Sequence, residues 1–111
     1  MAKARKATRQ IYLATAAGRF SKDFGLRDQI QRASVSVMAN MAQGFGRHSD
    51  REFANFLNIA HSSVLEVQSH LYVALDLNYL QENTFRELYR LLDEVSRMTL
   101  ALSKHLRGSK L

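Results

Sequence analysis

The chain has no cysteine, no proline and no tryptophan, and only five glycines in 111 residues. Without cysteine there is no disulfide framework, no thiolate nucleophile and no cysteine metal site. That fits a cytoplasmic setting, where thiols stay reduced. Without proline, and with glycine scarce, nothing interrupts a helix over long distances, which argues against a turn-rich β fold. Long apolar runs are missing as well. No stretch approaches the roughly 18 apolar residues that cross a bilayer. The basic start MAKARKATRQ is not followed by the apolar run of a signal peptide, so no membrane partner is expected.

What is present is ordinary globular chemistry: 46% hydrophobic and 23% charged residues. The length suits one compact domain, expected to span residues 1–111, with one core. The net charge of +6 is uneven. Residues 1–51 hold ten basic and three acidic side chains, and residues 52–111 hold six and seven. A basic field of this kind attracts polyanions such as nucleic acid, although moderate positive charge also simply keeps a small protein soluble.

The chain is organised around Gln29 to Leu71. Apolar residues recur at helical spacing before a short turn (Ile30, Ala33, Val37, Met41) and after it (Phe53, Phe56, Leu57, Ala60, Val64, Val67, Leu71). The turn is Gly44-Phe45-Gly46-Arg47-His48, where paired glycines are expected to supply left-handed backbone. Ser49-Asp50-Arg51-Glu52 restarts the helix as a capping box.

Around this hairpin the spacing predicts a first helix over Lys3–Phe20, with a thin inner face of Ala4, Ala7, Ile11, Ala14 and Ala17 beside Leu13 and Phe20. Asp23 is the expected cap of a second helix from Leu26 to about Ala42. That helix carries the stripe Leu26, Ile30, Ala33, Val37, Met41 and a second one, Val35, Met38, Ala42, Phe45. The second stripe predicts burial on two sides, hence an oligomer. A third helix is expected over Asp50–Leu77, on the order of 40 Å long, closed by a left-handed Asn78 with Leu80 folding back. Thr84-Phe85-Arg86-Glu87 reads as a capping box for a fourth helix to Leu106, with the seam Phe85, Leu88, Leu92, Val95, Thr99, Leu102, Leu106. Gly108 to Leu111 reads as a frayed tail. Four helices with short connections predict an all-α, up-down-up-down antiparallel four-helix bundle.

Ser36-Val37-Met38-Ala39-Asn40-Met41-Ala42-Gln43-Gly44-Phe45-Gly46-Arg47, followed by Ala60-His61-Ser62-Ser63-Val64-Leu65-Glu66, resembles the signature of the four-helix-bundle proteins encoded by intervening sequences in 23S ribosomal RNA genes. Phe24 to Ile30 and the turn from Leu77 to Leu80 are similar to that family too. The chain departs from its pattern at Met38, Ala39, Gln43 and Ser62, which replace proline, serine, glutamate and glycine. A family role that needs a carboxylate at position 43 is therefore not implied. The resemblance implies a bundle that assembles as a ring, a homopentamer. It also implies kinship with the accessory variability determinant proteins of diversity-generating retroelements, which bind nucleic acid and a reverse transcriptase.

Two residue sets are candidates for function. Arg32, Ser36, Asn40, Gln43, Ser63 and Glu66 are expected to form a polar network in which Glu66 is partly or fully buried and paired across helices 2 and 3, with Arg32 as its partner. Such a network more often fixes helix register than carries chemistry. Lys3, Arg5, Lys6, Arg9, Arg47 and Arg51 are expected to contact nucleic-acid phosphates, RNA or DNA, with Arg19, Lys22 and Arg27 as further basic candidates. His48, His61, His70 and His105 lack a metal-binding spacing, no phosphate loop or catalytic set is readable, and no cofactor is expected. The expected function is a non-enzymatic oligomeric module that binds nucleic acid with little sequence preference. The alternative is a scaffolding ring that recruits a protein partner.

Overall fold

A computed structural model describes residues 1–108, and the expected tail beyond Gly108 lies outside the described residues. The helices are α1 (Ala2–Thr15), α2 (Phe24–Phe45), α3 (Asp50–Asp76) and α4 (Glu82–Gly108), with a short 3-10 helix at Gly18–Lys22 between α1 and α2. α1 packs on α2 and α4, and α3 packs on the same two helices. This is the up-down-up-down four-helix bundle, drawn out to 50 × 21 × 19 Å.

The caps explain where the helices begin and end. Asp23 Oδ1 accepts from the Leu26 amide at 3.1 Å and starts α2. Ser49 Oγ accepts from the Glu52 amide at 3.1 Å and starts α3. α3 stops at Asn78, which adopts φ 60°, so that the Tyr79 amide reaches back to the Ala74 carbonyl at 2.8 Å. Leu80 then folds into the core, as the spacing predicts.

Three local expectations are corrected. α1 ends at Thr15, not Phe20. The Thr15 hydroxyl bonds the Ile11 and Tyr12 carbonyls, and Gly18 turns left-handed at φ 57°. Ala17 and Leu13 are consequently exposed. α4 begins at Glu82 and lacks the Thr84–Glu87 capping box. Asn83 Oδ1 takes the Thr84 amide instead, and Glu87 accepts from Gln10 on α1. The reversal after α2 also works differently. Gly46 has φ −86°, and the turn tightens through Gly46 and Arg47 amides donating to the Gln43 and Gly44 carbonyls at 3.2 and 3.1 Å. Gly44 lies inside α2, where a Cβ would sit 3.0 Å from Cδ1 of Phe53 and 3.2 Å from Cβ of Phe56. It is small so that α3 can come close, not so that the chain can turn.

The core runs through Ile30, Val37, Met41, Leu57, Val64, Val67, Leu71, Leu88, Leu92 and Val95, all nearly free of solvent. α1 adds only Ala4, Ala7 and Ile11 to it.

Candidate nucleic-acid interface

The α2–α3 seam brings together half of the expected polar network. Ser36 and Ser63 share a hydrogen bond at 2.9 Å. Asn40 donates to the Ser36 carbonyl at 2.8 Å and to its hydroxyl at 3.1 Å. Arg32 and Gln43 are exposed and stand apart. Glu66 corrects the expectation most clearly. Its side chain is 57% exposed and lies 3.4 Å from His70 Nε2, one turn along the same helix. It projects from the outer flank of α3, where water solvates the carboxylate and no buried partner is required.

Sequence reasoning missed a second polar row, between α3 and α4. His61 Nδ1 and Ser96 Oγ lie 2.9 Å apart. Ser103 donates to Asn58 at 3.0 Å, and the Thr99 hydroxyl donates to the Ser96 carbonyl. Gln68 is buried on α3, and among the described residues its Nε2 has no partner. The available signal was the run Ser96, Thr99, Ser103 on the apolar face of α4. These pairs fix the register of two long helices. Among the described residues no three His, Asp or Glu side chains gather as a metal site.

The basic residues separate into engaged and unengaged groups. Arg19 donates to the Leu77 carbonyl at 3.0 Å and lies over the Tyr79 ring. Arg27 donates to the Ser21 carbonyl at 3.0 Å, pairs with Asp28 and covers the Phe24 ring. These two arginines hold the connections at one end of the bundle. On α4, Arg86 pairs with Glu82, Arg90 with Glu94 and Arg97 with Asp93, each one turn away. Lys3 crosses from α1 to Glu94 at 3.0 Å. Its hydrogen bond, with Arg90 adding to it, holds the Glu94 carboxyl below the usual range against a smaller effect of burial.

Arg5, Lys6, Arg9, Arg47 and Arg51 make no ion pair among the described residues. Arg5, Lys6 and Arg9 line a shallow concavity along α1. Arg47 lays its guanidinium 4.7 Å from the centroid of the Phe56 ring, which leaves the N–H edges free to meet an anion. Antiparallel topology places the start of α1, the α2–α3 turn and the end of α4 at one end of the bundle. In the sequence the α1 strip and the turn read as separate; the fold starts them at the same end.

That end also carries an open apolar groove of about 440 Å³, lined by Met1, Met41, Phe45, Leu57, Met98, Thr99, Ala101 and Leu102. It exists because α1 starts with Lys3 beside Glu94, while α4 runs on to Gly108. The last turns of α4 therefore have no α1 to cover them. Phe45 is 54% exposed there and Met98 44%.

Residues 1–101 match the family described as 23S rRNA-intervening sequence protein. No curated protein matches the chain. Among solved structures, a protein of unknown function from the S23 ribosomal protein family of Bacteroides thetaiotaomicron shares the fold, with a TM-score of 0.83 and 23% identity, over 92% of this chain and 95% of that one. With these residues matched and the four-helix bundle in place, the chain belongs to the 23S rRNA-intervening sequence protein family.

Proposed function

We propose that this protein is a non-enzymatic, ring-forming helical-bundle module that binds RNA or DNA through a basic surface, with little sequence preference, in the cytoplasm. The observation that carries this reading is the asymmetry of pairing. The arginines of α4 from Arg86 to Arg97 are neutralised within their own helix, whereas Arg5, Lys6, Arg9, Arg47 and Arg51 are left for an external anion. Lys3 belongs to the same strip, with part of its charge directed to Glu94. Lys and Arg side chains that contact phosphates release counterions, and those contacts carry no sequence information.

Assembly rests on a different surface. From Ala33 to Gly46, α2 has no charged residue, and from Phe53 to Leu75, α3 has only Glu66. Val35, Ile59, Leu65, Tyr72 and Val73 are exposed on these two helices, with Ala39, Ala42, Ser62 and Ser69 between them. Small residues between apolar ones let a neighbouring helix approach closely, so α2 and α3 make the better subunit contact. The resemblance to the intervening-sequence family supports a ring of five subunits. A ring repeats Arg47 and Arg51 around one end as a basic collar.

The test is a titration of labelled RNA and duplex DNA at several salt concentrations, with light scattering on the same samples. Log affinity falls linearly with log salt. Reversing Arg47 and Arg51 to glutamate removes most binding without unfolding and lowers the salt slope by about 0.7–0.9 for each phosphate no longer neutralised. A parent that binds neither nucleic acid makes a scaffold for a protein partner the better reading. A monomer at micromolar concentration removes the ring.

A further inference from the structure

We propose that the apolar groove at the open end receives unpaired bases of single-stranded nucleic acid, with Phe45 as the surface on which a base stacks. This rests on the nucleic-acid reading above and deepens it. The groove has the wrong chemistry for phosphate and the right chemistry for a flat, weakly polar ring. Its principal walls are Met41, Phe45, Leu57, Met98 and Leu102, with Met1 at the mouth. The Phe45 ring is held edge-to-face by Phe53, centroids 5.2 Å apart at 71°, and it is 54% exposed. An aromatic ring so fixed and so open is a stacking platform. Methionine sulfur is polarisable and packs well against aromatic rings.

Charge complementarity selects the occupant. On one side of the groove, Arg47 follows Phe45 by two residues and its guanidinium lies over Phe56. On the other, the Arg5 amide donates to the Met1 carbonyl at 2.9 Å, so the α1 basic strip begins at the groove mouth. An apolar slot between unpaired cations fits a ligand whose rings and anionic backbone alternate. Asp50 and Glu52, the carboxylates closest in sequence to the turn, head α3, and Asp50 is already engaged. A duplex stacks its bases inward and offers the groove nothing, so the ligand is single-stranded. Among the described lining residues no side chain offers a free hydrogen-bonding group to read a base edge. Their one hydroxyl, on Thr99, already donates to the Ser96 carbonyl at 2.9 Å. Binding is therefore tolerant of sequence.

The experiment uses the full chain with a labelled oligouridylate and a duplex of equal length, titrated across salt. The single strand is expected to bind more tightly than the duplex. Phe45→Leu, which keeps apolar bulk but removes the ring, is expected to weaken single-strand binding roughly 5- to 100-fold and to leave the salt slope unchanged. Phe45→Trp is expected to keep binding, and its emission is expected to be quenched by added oligouridylate. The parent has no tryptophan, so this signal has no background. Duplex binding as tight as single-strand binding, with Phe45→Leu equal to the parent, overturns the inference while leaving the basic-surface reading intact. A parent that binds neither probe overturns both. A Phe45→Leu variant that changes the oligomeric state, or a Phe45→Trp emission that shifts with protein concentration alone, assigns the groove to a second copy of the chain and also overturns it.

Discussion

The two ends of the bundle are built by opposite rules. At the end formed by the first connection and the α3–α4 turn, the polar groups that stand out satisfy one another. Asp23 caps α2 and accepts from the Tyr79 hydroxyl at 3.0 Å, Phe20 stacks on Tyr79 at 5.2 Å, and Arg19 and Arg27 bond backbone carbonyls. Ile11, Phe20, Ile30, Leu71, Leu80 and Leu88 close there with no space for a water. At the other end Arg47 and Arg51 have no ion pair among the described residues, and Phe45 faces an open groove. The contrast teaches that a basic or aromatic residue is informative about function only once its partners are known. Arg19 and Arg47 look alike in the sequence, yet Arg19 bonds a backbone carbonyl across the bundle end and Arg47 has no ion pair among the described residues.

The sharpest way to break this contrast is to truncate one ring at each end. Phe20→Ala empties a fully buried site in the closed end and is expected to cost about 3–5 kcal/mol. Phe45→Ala, half exposed, is expected to cost less than about 1 kcal/mol. Equal losses in chemical denaturation would erase the distinction. Gly44→Ala is next. Its methyl would press on Phe53 and Phe56, and overpacking of this kind costs about 1–3 kcal/mol. A variant as stable as the parent would mean that α3 can retreat freely. Asp23→Ala removes a cap and a cross-connection together and should destabilise by about 1–2 kcal/mol, without affecting nucleic-acid affinity.

The closed end should also respond to alkali. The hydrogen bond to Asp23, then burial, then the Asp23 charge hold the Tyr79 phenol above its ordinary value of 10.0, and Arg19 opposes them weakly. The folded state thus prefers the protonated phenol. That stability is complete below about pH 10 and is lost as pH rises through the higher folded value. Tyr79→Phe should flatten this alkaline loss in melts recorded against pH. An unchanged profile would mean that the Asp23 bond carries no weight. The smallest expected effect is that of Glu66→Ala. Because Glu66 is solvated and, among the described residues, paired only along its own helix, the change should stay within about 0.5 kcal/mol. A larger loss would indicate that assembly buries it.

Much of the fold was legible in the sequence because its signals are local. Apolar spacing, Asp23, Ser49 and Asn78 each act within a turn or two of themselves, and the structure uses all of them. What was not legible depends on neighbours distant in sequence. A glycine pair reads the same whether it permits a turn or, as at Gly44, admits two aromatic rings. A lone glutamate on an apolar helix reads as buried until it is known that α3 exposes Ile59, Leu65 and Val73 around it. The candidate site was half legible. The unpaired arginines could be named but not told apart from Arg19 and Arg27, and the groove follows from where α1 starts against α4, with Lys3 beside Glu94 while α4 runs on to Gly108, a register between distant segments that no local signal records.

The measurement that addresses the central claim most directly is amide hydrogen exchange with and without a saturating oligouridylate. The account predicts added protection at residues 44–51, at the start of α1 and in the last turns of α4, with no change at residues 18–27 and 77–82. Protection at the closed end, or no protection anywhere under conditions where the oligouridylate is bound, would contradict it.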